Sequence, residues 1–248
     1  MRTRVDVYNS MLSVQAEMAF AYERSLYQTQ LWDAARSVLD FGCGNAHYLA
    51  LLSQKYPQKQ FTALERDSAM YQRAVERAGS QAHLICGDAA ALSSEFTFDY
   101  LLVRLVSLHL PDRSVLQKLA LAHAAPRHGV LIIDADDEFF LIKPSLPLFA
   151  AALERLRVEQ NVNRQLRETV KSEWEQAGYS HVFEHRFIIN SDYPGNRERM
   201  YLYMYLTAEL ALGCQPPPDL SAELLEWATH PSGYVQYGVF GSVFEKGG

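Results

Sequence analysis

The chain has 248 residues, of which 48% are hydrophobic and 21% charged, and its formal net charge is −6. These values are typical of a folded globular protein with an ample core, and the acidic balance argues against a nucleic-acid partner. Three widely spaced cysteines exclude a disulfide scaffold and a zinc ribbon. Because no signal segment and no run of about 18 apolar residues is present, we expect a cytoplasmic protein without a membrane partner.

The predicted elements begin with helix and then alternate between strand and helix. An amphipathic helix is predicted from about residue 13 to residue 34. Further helices are predicted at 47–56, 68–79, 111–124, 145–178, 196–213 and 221–229, and strands at 37–41, 60–65, 82–86, 98–104, 129–134, 181–189 and 234–244. Apolar strands that alternate with helices form βαβ units, so the pattern predicts a doubly wound, mostly parallel, Rossmann-like α/β fold.

The same pattern divides the chain into two predicted parts. Residues 1–35 are expected to form an N-terminal helical cap, and residues 36–248 the core domain. A helical insertion at about 191–232 precedes the last strand. We expect this insertion to form part of a lid over a site.

A glycine-containing loop follows the first predicted strand in the string VLDFGCGNA, residues 38–46. Gly42 permits a tight turn, and Gly44 lets a ligand approach bare backbone at the start of a helix. Asp40 stands two residues before Gly42. A carboxylate in that place repels a pyrophosphate but can hold an ammonium group.

Two more acids follow the next strands. Glu65 ends the second predicted strand, 21 residues after Gly44, and Asp88 follows the third. The spacing of Glu65 is the one at which a carboxylate meets ribose hydroxyls. Three acids at one sheet edge therefore favour a neutral or cationic nucleoside as the ligand.

These motifs resemble those of the class I S-adenosylmethionine-dependent methyltransferases, specifically members that act on small molecules. Residues 38–46 are similar to the first motif of that family, Glu65 to its ribose acid, and the pair 88–89 to its adenine-binding pair. The likeness covers roughly residues 36–190, with Ala46 in place of the third glycine. It implies S-adenosylmethionine as cofactor and a seven-stranded sheet whose last strand is antiparallel.

The resemblance also implies roles for particular residues. Asp40 and the loop backbone would hold the methionine part, and backbone near Arg104 the ammonium group. Arg24 and Gln28, four apart on the predicted first helix, would face the cofactor carboxylate; the alternative is a solvated surface. The implied cofactor-binding residues are Arg24, Asp40, Gly42, Cys43, Gly44, Glu65, Arg66, Met70, Asp88, Ala89 and Arg104.

Candidate residues for the methyl acceptor are less specific. His109, after the fourth strand, is the predicted general base, with a purely structural histidine as the alternative. Acidic residues stand at positions 134, 136 and 137, and we expect Asp134 to contact the acceptor. Binding of Mg²⁺ by this cluster is the less favoured alternative, so we predict no metal. The stretch 161–164 is another candidate lining. The predicted substrate-binding residues are Tyr22, Asp134, Tyr201 and Tyr205, although such aromatics more often pack a core.

The sequence thus predicts a methyltransferase that acts on oxygen or nitrogen of a small organic molecule, such as a secondary metabolite. The alternatives are a tRNA or protein methyltransferase, disfavoured by the acidic charge, and a catalytically silent S-adenosylmethionine-binding module. The expected partner is the small-molecule acceptor, and a homodimer is left open.

Overall fold

A single mixed sheet organises the chain. The computed structural model describes residues 2–162 and 164–247. The strands are β1 (Ser37–Phe41), β2 (Gln60–Glu65), β3 (His83–Cys86), β4 (Phe98–Arg104), β5 (Ala124–Lys143), β6 (Ser180–Asn190) and β7 (Tyr234–Lys246). Their order in the sheet is β3-β2-β1-β4-β5-β7-β6. The first five strands run parallel, and β7 lies antiparallel to both of its neighbours. The predicted fold class is confirmed.

Helices cover both faces of this sheet. They are α1 (Arg4–Ala19), α2 (Gln30–Ala34), α3 (His47–Lys55), α4 (Ser68–Ala78), α5 (Ser114–His123), α6 (Pro147–Gln160), α7 (Arg167–Gln176), α8 (Asn196–Leu212) and α9 (Pro218–Thr229). Short 3-10 helices lie at Glu23–Tyr27, Ala89–Ala91 and Ser107–His109. Within residues 2–162 and 164–247, no helix is both long enough and apolar enough to cross a membrane.

The strands are apolar on both faces because each face has its own core. In β4, Tyr100 and Leu102 pack with α1, α3 and α8, whereas Leu101 and Val103 pack with α5 and α7. Successive side chains of a strand point to opposite faces, so a strand between two helical layers has no polar face. This explains why the central strands are continuous apolar runs in the sequence.

The prediction of one helix over residues 13–34 was wrong. Helix α1 begins earlier, at a capping box between Thr3 and Asp6, and ends at Ala19. A straight helix of that length would extend about 33 Å and leave the sheet. The chain instead turns, and this brings Leu26 and Trp32 into the core, where neither has any measurable exposure. Tertiary burial therefore overrides the local helical pattern.

Two further boundaries differ from the prediction. The stretch predicted as helix 145–178 is split into α6 and α7, because Asn161 ends α6 in the left-handed conformation (φ +47°). Strand β5 continues to Lys143, well beyond Asp134, and after an irregularity pairs with the start of β7. The division into a cap at 1–35 and a core at 36–248 stays a prediction. In the structure, α1 and α2 share one hydrophobic cluster with the sheet.

The side chain of Trp32 anchors the N-terminal segment to the sheet. Its ring meets the edges of Tyr27, Tyr56 and Tyr100 at centroid distances of 4.7, 5.1 and 5.2 Å. Because so large a buried side chain leaves a cavity when truncated, Trp32→Ala is expected to lower the free energy of unfolding by about 3–5 kcal/mol in urea denaturation. Leu121→Ala, at a position that is 85% exposed, should change it by less than about 0.5 kcal/mol. Equal effects of the two changes would contradict this packing.

Candidate active site

A cavity of about 800 Å³ lies at the carboxyl ends of β1, β2 and β4. We call it the larger cavity. Helix α1 covers it with side chains that include Tyr8, Leu12 and Gln15. The residues predicted to bind the cofactor that line it are Asp40, Gly42, Cys43, Gly44, Glu65, Arg66, Met70, Asp88 and Arg104. The structure therefore brings together residues from four strand ends that are far apart in the sequence.

The glycine loop, residues 42–46, has a backbone that larger residues rarely adopt. Gly42 and Gly44 have φ values of +77° and +58°. A Cβ atom on Gly42 would lie 2.7 Å from the Val106 side chain, so the loop has no room for one. Ala46, which replaces the third glycine of the resembled motif, also has a positive φ, +53°. Ala46 therefore adopts a left-handed backbone conformation that favours glycine.

The carboxylate of Glu65 is fixed against this loop. It accepts hydrogen bonds from the backbone N–H of Gly44 at 2.9 Å and of Asp67 at 2.8 Å. Asp40 is almost wholly buried, and this burial raises its pKa to about 7, opposed by the charge of Arg104 and assisted by that of Glu65. A cationic ligand would reverse the effect on Asp40 by favouring its charged form.

A buried ion pair stands between the N-terminal segment and the sheet. The Arg104 guanidinium donates from Nε to Glu23 Oε2 at 3.0 Å and from Nη2 to Oε1 at 3.1 Å. It also lies over the ring of Tyr48, 4.1 Å from the centroid. Glu23 has no exposed surface. The sequence analysis missed Glu23, because nothing local distinguishes it from a surface glutamate.

A second cavity, of about 130 Å³, adjoins the first. We call it the smaller cavity. The two share a wall that includes Tyr8, Arg104, Leu105 and His109. Leu105 has a positive φ of +55°, an unusual backbone conformation of the kind that clusters at functional sites. The remaining walls come from α1, α6, α8, the stretch after α6, and the paired parts of β5 and β7.

The comparisons with known proteins agree with this geometry. Residues 38–129 match the sequence model of the methyltransferase domain family. Over 96 residues, 38% of this chain and 35% of the relative, the sequence is 30% identical to a malonyl-[acyl-carrier protein] O-methyltransferase of Priestia megaterium. The chain thus spans about a third of the length of that curated relative.

Similar solved structures cover almost the whole chain. The structure of a proposed methyltransferase of Bacillus halodurans superposes with a TM-score of 0.59 at 14% sequence identity. The match covers 92% of this chain and 98% of the Bacillus halodurans chain. The S-adenosylmethionine-dependent methyltransferase of Thiobacillus denitrificans, solved with S-adenosyl-L-homocysteine, has a TM-score of 0.50 at 18% identity, covering 91% and 90%. At such identities the likeness shows the fold.

Residues 38–129 therefore resemble a methyltransferase domain in sequence, and almost the whole chain shares the fold of solved methyltransferases. The resemblance to methyltransferases that the glycine loop and the strand-end acids predicted is confirmed over residues 38–129, and a solved structure of the same fold contains S-adenosyl-L-homocysteine. The roles of individual residues stay predictions, to be judged by where the structure places them.

Two predicted cofactor contacts do not line the larger cavity. Arg24 is exposed, and it lies in a 3-10 helix, so the α-helical spacing assumed for Arg24 and Gln28 is wrong. Ala89 begins a short 3-10 helix after Asp88, whose side chain accepts from the N–H of Ala90 at 2.9 Å. Asp88 itself remains at the cavity.

The predicted substrate-binding tyrosines also lie outside both cavities. Tyr22 packs against Tyr193, with ring centroids 5.3 Å apart, and accepts a hydrogen bond from Asn196 at 3.3 Å. The face of α8 that lines the smaller cavity consists of residues at helical spacing, Met200, Tyr203, Met204 and Thr207. Tyr201 and Tyr205 lie on a different face of the helix.

The predicted acceptor ligand Asp134 is buried inside the protein. Its carboxylate accepts from the N–H of Leu108 at 3.1 Å and of Ala135 at 2.9 Å, and burial raises its pKa to about 7. It therefore fixes the short 3-10 helix that carries His109. Asp136 and Asp137 are paired with arginines, and no group of three His, Cys, Asp or Glu side chains within 2–162 and 164–247 could hold a metal ion.

The predicted base, His109, lies in the shared wall of the two cavities. Burial, together with the positive charges of Arg164 and Arg66, lowers its pKa below the usual 6.5. The ring is therefore neutral at neutral pH, which is the form that accepts a proton. Of the predicted lining at 161–164, Val162 and Arg164 contact the smaller cavity, whereas Asn163 lies outside the described residues.

Several lining residues of the smaller cavity were not predicted. They are Arg157 on α6, Tyr203 and Met204 on α8, and Tyr237 on β7. The i, i+3, i+4 spacing of the α8 residues was visible in the sequence, but which helix face meets the sheet was not. Arg157 and Tyr237 carry no sequence signal that separates them from other residues of their type.

The buried Asp40 makes stability depend on pH. Its folded pKa of about 7 lies above the ordinary 3.8, so folding takes up a proton between these values, and the unfolding free energy falls as pH rises. Asp40→Asn removes this effect. The stability of the variant relative to wild type should therefore increase from pH 4 to pH 7, by about 1.4 kcal/mol per unit of pKa shift. Chemical denaturation at several pH values measures it.

The exposed Gln54 on α3 provides the control for this prediction, because its side chain does not titrate. Gln54→Ala should change stability by a nearly constant amount across the same pH range. A constant difference for Asp40→Asn as well would contradict the raised pKa.

Proposed function

We propose that this protein transfers the methyl group of S-adenosylmethionine to an oxygen or nitrogen atom of a small organic molecule. The observation that carries the proposal is the larger cavity, with its strand-end carboxylates, sharing the His109 wall with a smaller cavity. A tRNA or protein methyltransferase and a catalytically silent binding module remain the competing functions.

The residues of the larger cavity fit the cofactor chemically. Asp40 offers a carboxylate to the ammonium group of the methionine part, and Glu65 offers one to the ribose hydroxyls beside the Gly44 backbone. Met70 and Asp88 lie farther along the same cavity, where they would border the adenine. The volume of about 800 Å³ is within the range of small-molecule and cofactor sites.

The smaller cavity supports a small acceptor. Its volume of about 130 Å³ is close to that of a cavity that holds one aromatic ring. Helices α1, α6 and α8 surround it, and the aromatic and methionine side chains of α8 suit an apolar molecule. A tRNA loop or a protein segment would need a wider opening. The net charge of −6 also disfavours RNA.

Methyl transfer is a displacement at carbon, for which the bound cofactor supplies an electrophilic methyl on a positively charged sulfur. A lone pair of the acceptor forms the new O–CH3 or N–CH3 bond, and the electrons of the broken S–CH3 bond remain on sulfur. The chain orients the acceptor and excludes water. His109, neutral at neutral pH, accepts the proton that the acceptor hydroxyl or amine releases.

The surroundings of the reaction belong to the same proposal. Residues 1–35 form the cap, of which α1 roofs the larger cavity, and the insertion at about 191–232 contributes α8 to the roof of the smaller one. We place the reaction in the cytoplasm because Cys43, Cys86 and Cys214 are all free thiols. The acceptor is a free small molecule rather than a nucleic acid or a lipid surface.

Glu65→Gln tests the cofactor site. The amide keeps one acceptor oxygen but loses the charge and turns the other oxygen into a donor, so affinity for S-adenosylmethionine should fall by about 1–3 kcal/mol in calorimetry. Glu95→Gln, at an exposed position away from both cavities, serves as the matched control and should leave the affinity unchanged. Equal affinities of wild type and Glu65→Gln would refute the assignment of Glu65.

His109→Gln tests the base. With methyl-labelled S-adenosylmethionine and a metabolite extract, label should enter the small-molecule fraction, and His109→Gln should lower that rate roughly 10²–10⁴-fold without loss of cofactor binding. The wild-type rate should rise with pH and level off above an apparent pKa that lies below 6.5.

Exposed His83, at the sheet edge, gives the control variant His83→Gln, which should keep the wild-type rate. A near-normal rate for His109→Gln would leave His109 with a structural role only. Label found in RNA or protein instead would favour the competing enzyme functions, and cofactor binding without any labelled product would favour the silent binding module.

A further inference from the structure

The wall of the smaller cavity carries two arginines that share one carboxylate. Arg157 Nη2 lies 3.2 Å from Asp137 Oδ2, and Arg164 Nε lies 2.7 Å from the same oxygen. Both arginines line the cavity, whereas no described residue in its lining is acidic. Two guanidinium groups against one carboxylate leave one positive charge in excess at this wall.

No other charge in the described lining cancels this excess. Arg104, the third arginine of the lining, is already paired with Glu23. Asp134 lies within electrostatic range of Arg164, but its carboxylate is occupied by two backbone N–H groups, and burial raises its pKa to about 7. Arg186, which lies 2.6 Å from Asp136, is shared with Glu138, whose exposed side chain lines neither cavity. Among the described lining residues, the positive charge therefore has no matched anion.

Two polar atoms in the same lining are buried and lack a hydrogen-bond partner among the described residues. They are Nε of Arg157 and the hydroxyl oxygen of Tyr237. Leaving a buried donor unsatisfied costs about 1–3 kcal/mol, and more for a charged group. Nε of an arginine can only donate, so its missing partner is an acceptor atom. Burial raises the pKa of Tyr237 well above 10, so its hydroxyl stays protonated and can also donate.

The rest of the lining is apolar. The Arg157 guanidinium lies over the ring of Phe140, 5.4 Å from the centroid of that ring. Phe149, Leu153 and Met200 add further apolar surface. A ligand for this cavity therefore needs an apolar body together with an acceptor group at the arginine end. The excess of one positive charge matches a singly charged carboxylate better than a doubly charged phosphate, and the planar fork of arginine pairs with a carboxylate through two hydrogen bonds.

We infer that the methyl acceptor is a small carboxylic acid whose carboxylate is held by Arg157 beside Arg164. Its apolar body fills the smaller cavity, and its hydroxyl or amine reaches the wall formed by His109. This inference rests on the proposed function, because only that function makes the bound acid the methyl acceptor. The carboxylate is the anchor and is not the group that is methylated, and Arg157 determines specificity without taking part in the proton transfer.

Matched acid and amide probes test the inference by calorimetry. The probes are 4-hydroxybenzoate with 4-hydroxybenzamide, and 3-hydroxybutyrate with 3-hydroxybutyramide, each titrated into the full chain with and without S-adenosyl-L-homocysteine. At least one acid should bind the wild-type chain about tenfold or more tightly than its amide, because a buried guanidinium pairs with a charged acceptor. Equal affinities within both pairs, or no acid binding at all, would overturn the inference.

Variants on α6 assign the preference for acids to one side chain. Arg157→Gln should abolish it, and Arg157→Lys should retain part of it, because the charge remains while the two-pronged geometry is lost. Arg155→Gln is the matched control, since Arg155 is exposed on the same helix and lines neither cavity. Thermal unfolding checks that each variant is folded. A full acid preference in folded Arg157→Gln would overturn the role of Arg157.

The same titrations separate this inference from the proposed function. Binding of S-adenosyl-L-homocysteine reports on the larger cavity and should be equal in wild type, Arg157→Gln and Arg155→Gln. Absence of that binding in the wild-type chain would contradict the proposed function. The acid and amide probes titrated without S-adenosyl-L-homocysteine would still measure the ligand preference of the smaller cavity. A chain that binds S-adenosyl-L-homocysteine but prefers neither acid contradicts only the inference.

Discussion

The ion pair between Arg104 and Glu23 connects the parts of the structure on which the site depends. Arg104 ends β4 and lines both cavities, whereas Glu23 belongs to the N-terminal segment and has no contact with solvent. Removing one partner of such a buried pair leaves an uncompensated charge, so the N-terminal segment has to stay in place once the sheet has formed. The stacking of Tyr48 on the guanidinium adds a third element, α3, to the same cluster. One interaction thereby ties the helical segment, the central strand and the glycine-loop helix together.

The roof of the larger cavity is bonded directly to the loop beneath it. Asn45, in the glycine loop, donates to the backbone oxygen of Asn9 at 2.8 Å and to the hydroxyl of Ser13 at 2.9 Å, both on α1. Its side-chain oxygen accepts from His47 N–H at 3.0 Å, where α3 begins. Asn45 thus accepts a hydrogen bond from the first turn of α3 and donates hydrogen bonds to α1. The glycine loop beneath the larger cavity and the helix that covers it are therefore one hydrogen-bonded unit.

Much of the larger cavity could be predicted from the sequence because its determinants are local. The glycine loop needs positive φ values within a few residues, and the carboxyl ends of parallel strands meet at one edge, so Asp40, Glu65 and Asp88 had to converge once the strands were recognised. The alternation of apolar strands and helices likewise predicted a mostly parallel sheet. The antiparallel last strand was predicted through the family resemblance. The smaller cavity was not predictable in this way. Its walls come from helices whose facing residues depend on how the helices are packed.

The amino-acid sequence by itself determined the βαβ order, the loop conformation and the row of acids, because each follows from neighbouring residues or from strand direction. Only the tertiary structure decided that the N-terminal segment breaks after Ala19 and that α8 presents Met204 rather than Tyr205 to the cavity. It also decided that Arg157 and Arg164 share the carboxylate of Asp137. The reason is that burial and pairing between distant segments have free energies larger than the local preferences they override, and no short stretch of sequence records which distant surface a side chain will meet.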